Sequence, residues 1–90
     1  MSDYELRDRT KYFAVRVIRM CSALPKTDVT RTLGKQLLRS GTSVAANYRE
    51  ASRARTDAEL LAKLGIVEQE LDESLLWMEL IIEAQIVPAA

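Results

Sequence analysis

Apolar residues recur every three or four positions along almost the whole chain, and that spacing predicts three long helices in one domain spanning residues 1–90. In the first, from about Tyr4 to Leu24, the residues Leu6, Thr10, Phe13, Val17, Met20 and Leu24 alternate at steps of four and three. That two-seam pattern belongs to a helix packed in a bundle, and Pro25 ends it. The second, from about Asp28 to Ser52 with Thr27 or Asp28 as its cap, lines Val29, Leu33, Leu37, Val44, Tyr48 and Ala51 along one face. The third opens on Thr56 with Glu59 three residues later, a capping box just before an apolar run, and continues from about Asp57 to Ala84, with Pro88 marking its end. Its main core face is read as Leu60, Leu64, Val67, Leu71, Ser74, Leu75, Met78 and Ile81. A second strip, Ile66, Trp77, Leu80 and Ala84, projects to nearly the opposite side. A helix that is apolar on two sides is buried on two sides, so this strip is the predicted subunit interface, with Trp77 as its anchor.

Helix two carries more than a core face. Gln36, Ser40, Ser43, Asn47 and Glu50 recur at steps of three or four and form one stripe of small or carboxamide groups ending in a carboxylate. The stripe borders the apolar face. Buried, it must be hydrogen-bonded, so it is either a structural network between helices or a binding groove; the structural role is the expectation. Beyond it lies a basic face, Arg31, Lys35, Arg39, Arg49 and Arg53, extended into the following loop by Arg55. These are the candidate nucleic-acid-binding residues, a plausible phosphate track. Aromatic interleaving is poor, because Tyr48 alone lies nearby and points to the core side, which argues against single-strand stacking readout. Gly41, inside this helix, costs roughly 1 kcal/mol relative to Ala. Close approach of another backbone, or a slight bend, is its expected compensation.

The stretch around the polar stripe resembles the central motif of a bacterial four-helix-bundle family, the 23S rRNA intervening-sequence proteins. The resemblance rests on Gln36-Leu37, Arg39-Ser40, Ser43-Val44, Ala46-Asn47 and Glu50-Ala51, followed by Thr56-Asp57-Ala58-Glu59, and extends more loosely over residues 5–87. It implies an all-α, up-and-down antiparallel bundle with a fourth helix after a short turn. Here that helix is missing or supplied by a partner subunit. Ala51 stands where many relatives have Gly, which favours continuing helix two toward Arg53. A more distant resemblance, to the accessory variability proteins of diversity-generating retroelements, implies a pentameric bundle that binds RNA and a reverse transcriptase through basic surfaces.

Net charge is zero but unevenly placed. Residues 1–55 hold 12 Lys/Arg against 5 Asp/Glu, and residues 56–90 hold 1 against 8. Either basic helices pack beside an acidic one, or a basic surface faces an anionic partner while the acidic helix faces elsewhere. The chain contains no His, which removes imidazole bases and histidine ligands. Glu68, Asp72 and Glu79 share a side of helix three, but a di-metal carboxylate bundle needs Glu-x-x-His pairs, and no metal or cofactor is expected. Cys21 has no base partner, and as the sole cysteine it suits a reducing compartment. The N-terminus is charged throughout and no 18-residue uncharged run exists, so neither a signal peptide nor a membrane span is expected.

The sequence thus points to a cytoplasmic, non-enzymatic helical bundle that self-associates, with a ring of five implied by the resemblance. It predicts binding of RNA or DNA through the basic face of helix two. The alternative is a protein-directed adaptor or assembly subunit with no nucleic acid. No small-molecule substrate is evident.

Overall fold

In a computed structural model, residues 1–84 of the chain are described. They form three α-helices in up-down-up order, α1 (Asp3–Ala23), α2 (Asp28–Ala51) and α3 (Asp57–Glu83). Each boundary lies within a residue of the periodicity reading, because each start carries a capping side chain. Ser2 accepts from the Glu5 N–H, Thr27 from that of Thr30, and Thr56 from that of Glu59. At Thr27 the box is reciprocal, since Thr30 Oγ1 also accepts from the Thr27 N–H. Thr30 also donates back to the Pro25 carbonyl, closing the turn between α1 and α2. At Thr56 half of the expected box forms: the Glu59 carboxylate takes the Arg55 N–H (3.4 Å) rather than that of the cap residue. Helix α2 ends at Ala51 with Ser52 as its C-cap, so it stops short of the continuation toward Arg53 that the Ala at position 51 suggested.

Helix α2 is the centre of the molecule. It packs against both α1 and α3, while the α1 and α3 backbones stay apart, so their side chains meet only across the core. One cluster joins Val17 and Leu24 of α1, Leu37 of α2 and Ile81 of α3; a second joins Val44 and Tyr48 of α2 to Val67 of α3, and Phe13 bridges the two. Leu37, Val44 and Ile81 are almost wholly enclosed.

Small residues on α2 set how closely its neighbours come. A methyl group at Gly41 would sit 2.8 Å and 2.9 Å from the two Val17 methyls and 3.1 Å from Val17 Cβ. The close approach is by a branched side chain of α1, not by backbone. The next residue back, Ser40, is fully buried against α3, where Ser74 is also fully buried and the two hydroxyl oxygens lie 2.9 Å apart. The carbonyls of Glu70 (2.8 Å from Ser74 Oγ) and Leu37 (3.3 Å from Ser40 Oγ) lie within reach of the second hydroxyl proton.

Helix α3 is rotated from its expected setting. Val67, Ser74 and Ile81 face α2, but Leu64, Leu71 and Leu75 of the expected core face are exposed, Leu75 by 51%. Trp77, expected on the outside, instead packs half-buried against the cluster of Val17, Leu24, Leu37 and Ile81. Its Nε1–H is enclosed without an acceptor among the described residues. The other members of its strip, Ile66, Leu80 and Ala84, do remain exposed. On α1 the seam is narrower than expected: Ala14, Val17 and Leu24 are buried, whereas Met20 is exposed. On α2 Val29 is exposed at the helix start.

At the end of the bundle near the α2–α3 loop, Tyr48 donates its hydroxyl to Asp3 (2.7 Å), tying the start of α1 to the last turns of α2. Burial, then this bond to Asp3, push the Tyr48 hydroxyl up to about 12 from an ordinary 10.0. The fold therefore favours the neutral phenol. Below pH 10 both folded and unfolded chains hold the proton and the contribution is complete; between pH 10 and 12 the unfolded chain ionises first and the contribution is lost. Urea unfolding measured across that range should show stability falling with pH, and Tyr48→Phe should flatten the fall.

Replacing Gly41 with Ala tests the α1–α2 contact. The better helix former gains about 1 kcal/mol, but forcing a methyl onto buried Val17 costs about 1–3 kcal/mol, so a net loss is expected. In the Val17→Ala background, where the two nearest methyls are gone and only Cβ remains at 3.1 Å, the same Gly41→Ala change should cost less. Equal effects in both backgrounds, by thermal unfolding, would show that Val17 does not set the spacing.

Candidate nucleic-acid interface

The basic residues of α2 do not form one continuous free surface. Arg39 is drawn onto α3, where its guanidinium bridges Glu70 and Glu73 at 3.1 Å each. Glu70 is largely enclosed, with its side chain 13% exposed, so this pair is partly shielded from solvent. Arg31 contacts Asp28 on its own helix at 3.3 Å, with both side chains open to water, an arrangement of little energetic weight. Lys35, Arg49, Arg53 and Arg55 are exposed and form no ion pair among the described residues. Arg49 and Arg53 share a shallow exposed surface with Ala45, Ala46 and Glu50. The predicted track is thus interrupted at Arg39, leaving Lys35 on one side of the break and Arg49, Arg53 and Arg55 on the other.

The uneven charge of the chain is consumed inside the fold only in small part. Arg39 reaches α3, and Lys63, the one cation of α3, reaches back to Glu50 at 2.9 Å, opposite in sense to the general asymmetry. Glu68, Asp72, Glu79 and Glu83 on α3, and Arg9, Lys11, Arg16 and Arg19 on α1, make no ion pair among the described residues. Packing basic helices beside an acidic one therefore explains Arg39 and little else.

The polar stripe separates into unlike parts. Ser40 is interhelical, held by Ser74. Glu50 also reaches α3, through Lys63. Asn47, expected to bond another helix, donates its amide to the Ser43 carbonyl of its own helix (2.9 Å), because at this position the side chain faces the flank of α2 rather than a neighbour. Ser43 is half-buried and Gln36 is exposed. The stripe is not a groove: its one enclosed member is a packing contact. The partner of Ser40 had a signal in the sequence that periodicity alone does not connect, since Ser74 is the lone hydroxyl on the otherwise apolar core face of α3.

The remaining chemistry is sparse. Cys21 is half-buried, burial raises its thiol above the ordinary range, and its Sγ lies 3.5 Å from the Gly34 carbonyl, so it behaves as a small packing residue rather than a nucleophile. Among the described residues no three His, Cys, Asp or Glu side chains converge as a metal site, and no helix is long and apolar enough to cross a membrane. Tyr12, which periodicity does not single out, is an exposed aromatic on α1 with the Arg16 guanidinium 6.0 Å from its ring centre.

Residues 2–90 match the family described as 23S rRNA-intervening sequence protein. The chain belongs to that family. A crystal structure of a protein with unknown function from the S23 ribosomal protein family of Bacteroides thetaiotaomicron is similar to it, with 36% identity and a TM-score of 0.89 over 98% of this chain and 79% of that one. No curated protein matches the chain. Ser40 is the α2–α3 contact, Arg39 the bridge to α3, and Glu50 the acceptor for Lys63. Of the motif residues, Arg39, Ser40 and Glu50 thus reach α3, whereas Asn47 bonds its own helix and Gln36 is exposed.

That division of labour is measurable. Arg39→Gln should lower stability by about 0.5–1 kcal/mol, the value of a half-exposed pair discounted for solvent, because it strands two carboxylates. Arg49→Gln and Arg53→Gln should leave the thermal midpoint unchanged. Asn47→Ala, which breaks only an intrahelical bond, should cost less than Ser74→Ala, which removes the buried interhelical Ser40–Ser74 bond at about 0.5–1.5 kcal/mol while Ser40 keeps the Leu37 carbonyl.

Proposed function

We propose that the protein is a non-enzymatic nucleic-acid-binding module that holds RNA through the cations of α2 and its following loop. The observation that supports this most is that Lys35, Arg49, Arg53 and Arg55 stay exposed and unpaired among the described residues beside an acidic helix that could have neutralised them. Cations left free on a scaffold attract phosphate, and binding then weakens steeply with salt. Membership in a family described by 23S rRNA intervening sequences is in keeping with an RNA partner. The sparse aromatics near α2 favour phosphate contact over base stacking.

A second reading is a protein-directed adaptor or assembly subunit. It is favoured by the Ile66, Leu80 and Ala84 edge of α3, which remains exposed after Trp77 turns inward. In that reading the edge carries homo-oligomer contacts, with five subunits implied by the retroelement accessory proteins. The loss of Trp77 from the strip removes its expected anchor and leaves a smaller apolar surface.

Anisotropy titrations of labelled RNA at several salt concentrations separate the two. The unmodified chain should bind with strong salt dependence. Replacing Lys35, Arg49 and Arg53 with Gln should weaken binding to every sequence and reduce the slope of log Kobs against log salt by about 2–3, at roughly 0.7–0.9 for each phosphate no longer neutralised. Absence of RNA binding at low salt, with an intact oligomer, would favour the adaptor reading.

A further inference from the structure

The outer side of α2 is turned away from α1 and α3 and carries its cations in two groups. One group stands at the α1–α2 turn, where Lys26, Arg31 and Lys35 line a common cleft of about 180 Å³. The other stands at the far end, where Arg49 and Arg53 share one shallow surface and Arg55 follows in the loop. All six are exposed. Lys35 and Arg49 are fourteen residues apart, a separation of about 21 Å along the helix. Helical spacing puts Leu38, Thr42, Ala45 and Ala46 between them on the same side. None of these is charged, and the Thr42 hydroxyl donates to the Leu38 carbonyl at 2.7 Å. Arg39 does not fill the gap, because it is folded onto Glu70 and Glu73. Acids do little to cancel either group: Glu50 is held by Lys63, and Asp28 meets Arg31 in open water.

Taking RNA as the partner, on which this step rests, we infer that the RNA is double-stranded. Helix α2 lies across the minor groove of an A-form duplex, with one cation group on each flanking backbone. The gap between the groups decides this. An extended single strand presents its phosphates in unbroken succession. Laid along α2, it would carry several of them over the neutral middle and gain from the two ends only. It would also find no aromatic platform on this side, and single strands rely on one. An A-form duplex instead presents phosphates along both rims of a wide, shallow groove. Two cation groups with an uncharged span between them match two rows of phosphate with a groove between. The short side chains of Thr42, Ala45 and Ala46 let the helix come down to the shallow floor, where the 2′-hydroxyls lie. They reach no base edge, so the duplex is recognised by its shape and not by its sequence. B-form DNA fits worse. Its minor groove, about 6 Å wide, is narrower than a helix, and the floor of its major groove, about 8.5 Å deep, lies beyond such short side chains.

Anisotropy titrations at one low salt concentration test this. The probes are a blunt RNA duplex of about 16 base pairs, enough to present two minor grooves, each of its single strands, and the DNA duplex of the same sequence. The RNA duplex should bind at least about tenfold more tightly than the other three, since each of those engages fewer phosphates at once. Spacing is then tested at constant charge. Lys35→Gln together with Ala46→Lys keeps the number of cations on the face but moves one into the gap. Duplex binding should fall severalfold, to the level of Lys35→Gln alone. Single-strand binding should return to that of the unmodified chain or exceed it, because a cation now stands beside Arg49 and Arg53. Both positions are exposed, so circular dichroism should show the variant folded. Single strands bound as tightly as the RNA duplex, or a DNA duplex bound as tightly, overturn the inference and leave the RNA reading standing. Full recovery of duplex binding in the charge-shifted variant also overturns it, since charge and not spacing then decides. Absence of binding to every RNA overturns it together with the reading on which it rests, so the two failures are told apart.

Discussion

Two adjacent residues at the middle of α2, Ser40 and Gly41, govern the distance at which both other helices approach. Gly41 has no side chain because the Val17 methyls occupy that space, and Ser40 is small because Ser74 stands opposite it. The two point to different sides of α2 because successive residues on a helix are separated by about 100°. One dipeptide thus serves two interfaces. The surrounding apolar contacts, Leu37 with Val17 and Ile81 on one side and Val44 with Val67 on the other, need those spacings to close. A larger residue at either place would act as a wedge between layers that share no other support, since α1 and α3 contribute only side chains to each other.

Much of this was readable from residues alone, for identifiable reasons. The ends of the helices are marked by local chemistry, Thr27 and Thr56 as caps and Pro25 as a stop, which no tertiary contact overrides; the Ser2 cap of α1 was not singled out. The core face of α2 was legible because its opposite side is polar and charged. Helix α3 was not, because it carries apolar residues nearly all round. With Leu64, Leu71 and Leu75 on one flank and Ile66, Trp77 and Leu80 on the other, periodicity fixes that both flanks are apolar but not which of them α2 covers. The large Trp77 ring, tucked toward Leu37 and Ile81, took the place expected for the leucines.

The candidate site was legible at coarser grain. Periodicity placed the arginines of α2 on one face but could not see across to α3, where Glu70 and Glu73 wait for Arg39. A run of like residues on one helix says nothing about how many are spoken for by a neighbour. The same limit applies to the polar stripe: Ser40 and Asn47 look equivalent in sequence, yet one faces α3 and the other its own helix. In both cases the missing information is the rotation of the adjoining helix.

The arrangement of α2 between two helices that follow each other in sequence has a kinetic consequence. Every backbone interface joins chain neighbours, α1 to α2 through a short turn and α2 to α3 through another. No docking event requires distant parts of the chain to find one another before anything is gained. Loop-closure entropy is therefore met in two small instalments, each rewarded at once by a helical hairpin. Proteins with such local topology fold in microseconds to milliseconds. Either helical hairpin, α1–α2 or α2–α3, can close its own backbone interface before the remaining helix docks.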